Sequence, residues 1–319
     1  MNLGLRKTNM RIIFFGLGSI GLRHAQIIQK EYRHELFAFR SGKNKQGNPL
    51  NIPEISKWND VKKINPDIAF ITNPTALHIK TAQKCADLGM KLFIDKPIGD
   101  DLKGLKEISK TITKKNLVTY VGYNLRFHPL LIYLKKYIAK RRVLHTKIWT
   151  TSYLPNWRKG EDYKKSYRTN KNLGGGVILD LSHEFDYLEH LLGNIKIKTG
   201  QFSKRSNLTN NVEDYSDILL NSDNGPVSLH INFLSHKNRR EIQIDLENET
   251  LIADLINCKI EKYKKEELVK TTTFTYERND SFKSQLEYFF KNIDNPKMMN
   301  NLLDASILYK KIINFKTKK

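Results

Sequence analysis

Residues 11–21 read Arg11-Ile12-Ile13-Phe14-Phe15-Gly16-Leu17-Gly18-Ser19-Ile20-Gly21. The apolar run Ile12–Phe15 has the length and composition of a buried strand. Helical spacing of apolar residues resumes at Ala25–Ile28. Between the two stands G-x-G-x-x-G, in the strand–turn–helix context that makes the motif informative. Gly16 permits a tight turn, Gly18 lets the backbone approach a pyrophosphate, and Gly21 lets the helix pack closely on the strand. The backbone N–H groups around Ser19 and Ile20 then open a helix whose positive end suits phosphate. The alternative is a glycine-rich turn that holds no ligand.

Working outward, apolar runs at Leu36–Phe39, Ile68–Ile71, Leu92–Ile94 and Val118–Val121 alternate with helical patterns such as Ala82–Leu88. Gly47, Pro49 and Pro53 mark a loop within this region. The alternation predicts a parallel sheet with helices on its faces. Beyond a helix at Pro129–Ala139 the pattern changes to longer runs: Ile148–Tyr153, Val212–Leu220, Val227–Phe233 and Ile242–Leu246. In Val227-Leu229-Ile231-Phe233 every second residue is apolar, which buries one sheet face only. One helix is expected near Asp180–Leu192, and two more close the chain near Phe282–Ile293 and Leu302–Phe315. The fold class is therefore α/β, an N-terminal Rossmann parallel sheet followed by an α+β domain with an open, mostly antiparallel sheet. The expected domains are residues 1–122 and 123–319, with the C-terminal helices returning to the first. The second sheet has too few helices to cover both faces, which predicts a homo-oligomer, dimer or tetramer, paired through that sheet.

The end of the second strand reads Phe39-Arg40-Ser41-Gly42-Lys43. A carboxylate there would bind the ribose 2′-hydroxyl of NAD. Arg40 instead offers a planar guanidinium to a 2′-phosphate, with Ser41 and Lys43 beside it, so NADP is preferred and NAD is the second choice. Alternatively Arg40 stacks on adenine or faces solvent. After the fourth strand, Asp95-Lys96-Pro97 places a lysine where open α/β sheets bind ligands. Its ammonium can stabilise a developing alkoxide, although a lone lysine before a turn proline is also an ordinary surface residue. Further on, Gly174-Gly175-Gly176 precedes Asp180 and His183. The glycines leave room for close backbone approach, and three-residue spacing puts Asp180 and His183 on one helix face. A histidine there suits proton transfer; an isolated histidine is more often a structural one.

Together these pieces resemble the glucose–fructose oxidoreductase / inositol dehydrogenase (Gfo/Idh/MocA) family over nearly the whole chain. The motifs that carry the likeness are Gly16–Gly21, Thr72-Asn73-Pro74 through His78, Asp95-Lys96-Pro97, Gly122-Tyr123-Asn124-Leu125-Arg126-Phe127, and Gly174–Asp186. The resemblance implies NAD(P)-linked oxidation or reduction of sugars, inositols or nucleotide sugars. It implies dinucleotide contacts from Thr72, Asn73, Pro74, His78, Asp95, Lys96, Pro97 and Asn124, and a cis bond before Pro97. It matches Lys96 to the family's Glu-Lys-Pro lysine and His183 to its catalytic histidine. It places Asp180 on substrate or cofactor and Arg126 in the cleft. Two departures stand out: Asp95 replaces the family's glutamate, and Asp180 lies three residues before His183 rather than the commoner four. The stretch Leu154-Pro155-Asn156-Trp157-Arg158, with Asp162-Tyr163 and Ser166-Tyr167 after it and Leu181-Ser182-His183-Glu184 further on, resembles a branch tied to bacterial surface-sugar and nonulosonate biosynthesis. It would bring the cationic and hydroxyl groups of Arg158, Tyr163, Lys165 and Tyr167 to the cleft, with Arg158, Tyr163 and Tyr167 on the substrate, unless it is simply an exposed loop. Other readings of the same scaffold are an imine- or bilin-type reductase and a non-catalytic dinucleotide sensor, for which neither Lys96 nor His183 is needed.

Composition narrows the classes further. The chain has 319 residues, 55 Lys and Arg against 33 Asp and Glu, and a net charge of +22. The excess is even along the chain, with 21 basic and 10 acidic residues up to 122 and 34 and 23 after it. Such a distribution, without a nucleic-acid motif, argues for a solvated lysine-rich surface that steers an anionic cofactor or substrate, and against nucleic acid as a partner. Cys85 and Cys258 stand apart from any metal-ligand spacing, so reduced structural cysteines and no metal are expected. No apolar stretch reaches about 18 residues and no signal core precedes Arg11, so neither membrane nor secretion is expected and the cytoplasm is.

Overall fold

The computed structural model describes residues 9–40, 47–157, 160 and 162–317. The chain resolves into two compact units, one ending at Tyr123 but regaining Phe282–Tyr309, the other comprising Asn124–Ser281 and the residues from Lys310.

In the first unit the order is β1 (Arg11–Phe15), α1 (Ser19–Glu31), β2 (Glu35–Phe39), β3 (Glu54–Ile55), α2 (Trp58–Ile64), β4 (Ile68–Ile71), α3 (His78–Asp87), β5 (Lys91–Ile94), α4 (Leu105–Lys115) and β6 (Thr119–Val121). All six strands are parallel, in the order β3-β2-β1-β4-β5-β6. That order reverses at β1, so the loop after β1 lies at the switch point where such sheets bind ligands. Ile12, Phe14, Phe70 and Phe93 are wholly buried in one cluster. Phe282, Leu286, Phe289 and Phe290 of the returning segment join that cluster. The return is also tied to the sheet edge, since Val121 N donates to Asn300 O at 2.8 Å and Leu302 N to Thr119 Oγ1 at 2.9 Å.

The second unit runs α5 (Pro129–Ile138), β7 (Val143–Tyr153), α6 (Val177–Asp180), α7 (His183–Leu192), β8 (Lys196–Ser203), β9 (Tyr215–Ser222), β10 (Gly225–Asn232), β11 (Leu234–Leu246), β12 (Thr250–Asp254), β13 (Lys259–Lys264) and β14 (Glu267–Thr273). Helices α8 (Arg278–Lys291) and α9 (Leu302–Thr317) follow, each crossing from one unit to the other along its length. The eight strands form one sheet, β14-β13-β12-β11-β7-β10-β9-β8, antiparallel except where β7 meets β10. Ile218, Leu229, Ile148 and Ile242 face one another in a buried row across four strands. α6 packs on β9 and β10, and α5 on α7. The opposite face carries Asp217, His230 and Trp149 in one row and Leu219, Ser228 and Lys147 in the next. Among the described residues no helix is long and apolar enough to cross a membrane.

One expectation is corrected. Asp180 and His183 do not share a helix face, because α6 ends at Asp180 and α7 begins at His183. Leu181 leaves the helical region at φ −95°, ψ 29°. The chain then tightens, with Ser182 N bonded to Leu179 O and Glu184 N to Leu181 O.

Candidate functional site

In the first unit the site grows from the loop after β1. Gly16 adopts φ +102°, and a Cβ there would sit 2.9 Å from Asn73 Cα. Gly16 N donates to Phe39 O at 3.3 Å, and Thr72 Oγ1 donates to Gly16 O at 2.6 Å. A Cβ on Gly21 would land on Gly16 O and lie 2.8 Å from Thr72 Oγ1. At Gly18, by contrast, a Cβ would meet none of the described residues within 4 Å. Two glycines thus serve packing, and the middle one, among the described residues, does not. Gly18 is also the N-cap of α1 and has no side chain to satisfy the first-turn N–H groups. A helix start whose N-cap has no side chain fits a pyrophosphate. Gly21→Ala is expected to push α1 off the strand, lowering stability by about 1–3 kcal/mol and weakening dinucleotide binding. Urea denaturation and nucleotide titration check both effects.

Asn73 and Pro74 lead from β4 towards α3, and Asn73 Nδ2 donates to Thr81 Oγ1 at 2.9 Å. His78 is buried, with Nδ1 at 2.8 Å from Pro97 O and Nε2 at 2.8 Å from Asn73 O. Its ring therefore sits between the Asn73 turn and the Lys96-Pro97 turn, and in its neutral form donates to one of the two carbonyls, the tautomer deciding which. Asp95 follows β5 and is fixed by its N–H on Ile71 O at 2.9 Å. The Lys96–Pro97 bond is cis. Arg40 follows β2, and its Nη1 donates to Glu54 Oε1 at 2.6 Å. Ser41 lies outside the described residues.

In the second unit the triple glycine approaches the chain's own backbone. A Cβ on Gly175 would lie 2.6 Å from Arg168 O, and one on Gly176, at φ +113°, would strike the Glu213 carboxylate. Lys316 holds that carboxylate at 3.0 Å and donates to Gly175 O at 3.0 Å. The turn so built delivers Asp180, whose oxygens accept from Tyr167 OH at 2.7 Å and Arg168 Nε at 3.1 Å. The Arg168 guanidinium also lies over the rings of Trp157 and Tyr167. Tyr163 is half-buried in a single turn, Tyr163–Lys165, and Lys165 reaches Asp162 at 3.4 Å. Arg158 lies outside the described residues.

His183 opens α7, and the residues after it are anchored by buried charge. Glu184 is 0% exposed, and its Oε1 lies 2.9 Å from both Nε and Nη2 of Arg240. Arg126 is drawn to Asp186 by a bidentate pair, with bonds of 2.7 and 2.9 Å. Burial pushes the Asp186 carboxyl up, and the Arg126 guanidinium pulls back against it. Burial, with Arg126 and Lys135 adding to it, pushes His190 down to about 3. His128 is pushed down to about 4 by burial and by Arg240. Both are therefore neutral rings near neutral pH. Asn124 is buried, and its Nδ2 donates to Ser281 Oγ at 2.7 Å. Arg168 and Arg240 were not singled out from the sequence, and Glu184 was quoted only within a motif, without its partner. Arg168 sits next to Tyr167, which was the available signal; the Arg240–Glu184 pair joins β11 to α7 across 56 residues and follows only from tertiary packing.

Residues 10–123 match the model of an oxidoreductase family with an NAD-binding Rossmann fold, and residues 141–252 match the GFO/IDH/MocA C-terminal domain. A levoglucosan dehydrogenase from Pseudarthrobacter phenanthrenivorans is 28% identical over 142 residues, 43% of this chain and 36% of that one. A scyllo-inositol 2-dehydrogenase (NAD(+)) from Bacillus subtilis is 25% identical over 172 residues, 51% and 47% of the two chains. The matched segments thus span about half of these curated relatives or less. Among solved structures, a UDP-N-acetylglucosamine 3-dehydrogenase from Acidithiobacillus ferrooxidans superposes with a TM-score of 0.74 at 16% identity, covering 96% of this chain and 98% of that one. A levoglucosan dehydrogenase in complex with NADH gives 0.79 at 15% identity, with 97% of each chain covered. These structural likenesses establish the fold.

Proposed function

Because the chain belongs to the Gfo/Idh/MocA family of NAD-binding oxidoreductases, we propose that it transfers hydride between a nicotinamide dinucleotide and an alcohol carbon of a sugar, nucleotide sugar or inositol-like substrate. The observation that carries this is the Gly16–Gly21 loop, packed shut at its first and last glycines and, among the described residues, open at Gly18. The dinucleotide, when bound, supplies or accepts the hydride. Gly16, Gly18, Ser19, Ile20 and Gly21 hold its pyrophosphate. Thr72, Asn73, Pro74 and the Asp95-Lys96-Pro97 turn flank it, with His78 between the two turns. Lys96 stabilises negative charge on the reacting oxygen, and His183 takes up or returns its proton. Asp180, with Tyr167 and Arg168, forms a polar wall on the substrate side. The excess of positive charge favours an anionic substrate. Arg40 favours NADP over NAD. The open sheet face with Trp149 and Leu219, 36% and 52% exposed, pairs with a second copy in a cytoplasmic homo-oligomer.

The test is a thermal-shift and turnover screen of NADPH and NADH against sugars, inositols and nucleotide sugars. A nucleotide at 100 times its Kd adds about 2.7 kcal/mol of stability. NADPH is expected to give the larger shift, and at least one polyol class to support turnover. No shift with either nucleotide would refute the reading.

A further inference from the structure

At the end of β2 the cation suited to a 2′-phosphate is already met by an acid. Arg40 Nη1 lies 2.6 Å from Glu54 Oε1. The backbone fixes this pairing. β3 runs parallel to β2 with Ala38 opposite Glu54, and Arg40 N donates to Ile55 O at 2.9 Å. The Arg40 side chain is 15% exposed and that of Glu54 39%, so the guanidinium is largely covered while the carboxylate keeps a face to water. The same strand end is bonded to the glycine loop, through Gly16 N on Phe39 O. The end of the second Rossmann strand is where the adenosine ribose comes to rest. An acid and a base therefore stand together at the position that distinguishes the two nucleotides, one on each of two neighbouring strands.

We propose that Glu54 is a specificity-determining residue, restraining the choice of NADP by holding Arg40 and by placing a negative charge beside the ribose. A 2′-phosphate must share Arg40 with Glu54 and sits near a like charge. The 2′-hydroxyl of NAD meets neither penalty and can donate to the carboxylate. A guanidinium has five donors, so it can contact phosphate and carboxylate together, but with fewer bonds left for the phosphate. Glu54 thus keeps the NADP preference below what an unencumbered Arg40 would give and leaves NAD usable. This rests on the dinucleotide reading of the Gly16 loop.

The experiment measures Kd for NADPH and NADH by fluorescence titration of the full-length wild type, Glu54→Gln, Arg40→Ala and the double variant. Glu54→Gln is expected to tighten NADPH about tenfold and to leave NADH within about threefold, the scale of one hydrogen bond to a charged group. The gain should shrink when Arg40 is alanine, because no cation remains to be released. An unchanged ratio of the two dissociation constants in Glu54→Gln, or a gain fully retained without Arg40, overturns the role given to Glu54 while leaving the dinucleotide site intact. A wild type that binds neither nucleotide overturns both.

Discussion

His183→Ala is expected to lower turnover about 10²–10⁴-fold, the contribution of a positioned proton-transfer group, with dinucleotide affinity nearly unchanged. The imidazole stands at the first residue of α7, after a two-residue break, on an element whose next turn is pinned by Glu184–Arg240 and Asp186–Arg126. Truncating His183 removes no bond from either pair, so the helix should stay in place. Lys96→Ala should act similarly on turnover, since the ammonium matters most when the reacting oxygen carries charge. Single-turnover hydride transfer, followed by nucleotide absorbance, separates the chemical step from binding. Unchanged rates in both variants would remove both residues from the mechanism. Equal losses in kcat and nucleotide affinity would show instead that the loops had collapsed.

The glycine loop was legible because its requirement is local. A tight turn, a close helix and an open middle position can be read from three residues and the strand before them. Arg40 was legible as a cation at the right place, but Glu54 was not legible as its partner. β3 has two residues, too few for a periodic signal, and its register against β2 exists only in the folded sheet. β8, β12, β13 and β14 also escaped, β8 and β14 for a related reason. Lys196–Ser203 and Glu267–Thr273 are edge strands, largely exposed, and lack the alternation that a buried face imposes. The break at Leu181-Ser182 contains neither glycine nor proline, so helical spacing from Asp180 to Leu192 concealed it. Arg126 was legible as a cation near a cleft motif, whereas its engagement with Asp186 is tertiary, 60 residues away. Local sterics and periodicity therefore reached the scaffold and the loop, and stopped at the charge pairs that support the site.

The Arg240–Glu184 pair gives the largest expected effect on stability. Arg240→Ala should destabilise the protein by about 3–5 kcal/mol, the usual cost of leaving one member of a buried ion pair uncompensated. Glu184 is wholly buried, and Arg240 brings two nitrogens to within 2.9 Å of one of its oxygens. Tyr187 is buried beside the pair, and burial holds its hydroxyl well above the usual range, so it stays neutral. Asp180 adds a further negative charge that Arg240 feels. The desolvation already suffered by the carboxylate is then no longer offset, and α7 can relieve it only by exposing its first turn. Glu184→Gln in the same chain removes the stranded charge and should recover most of the loss, because a neutral amide is far less costly to bury than a lone carboxylate. Urea denaturation of the two single variants and the double variant measures this directly. A fall of under about 1 kcal/mol in Arg240→Ala would place the pair with weak, solvent-screened bridges. A double variant no more stable than Arg240→Ala would show that Arg240 contributes through packing of its stem on the sheet and not through its charge.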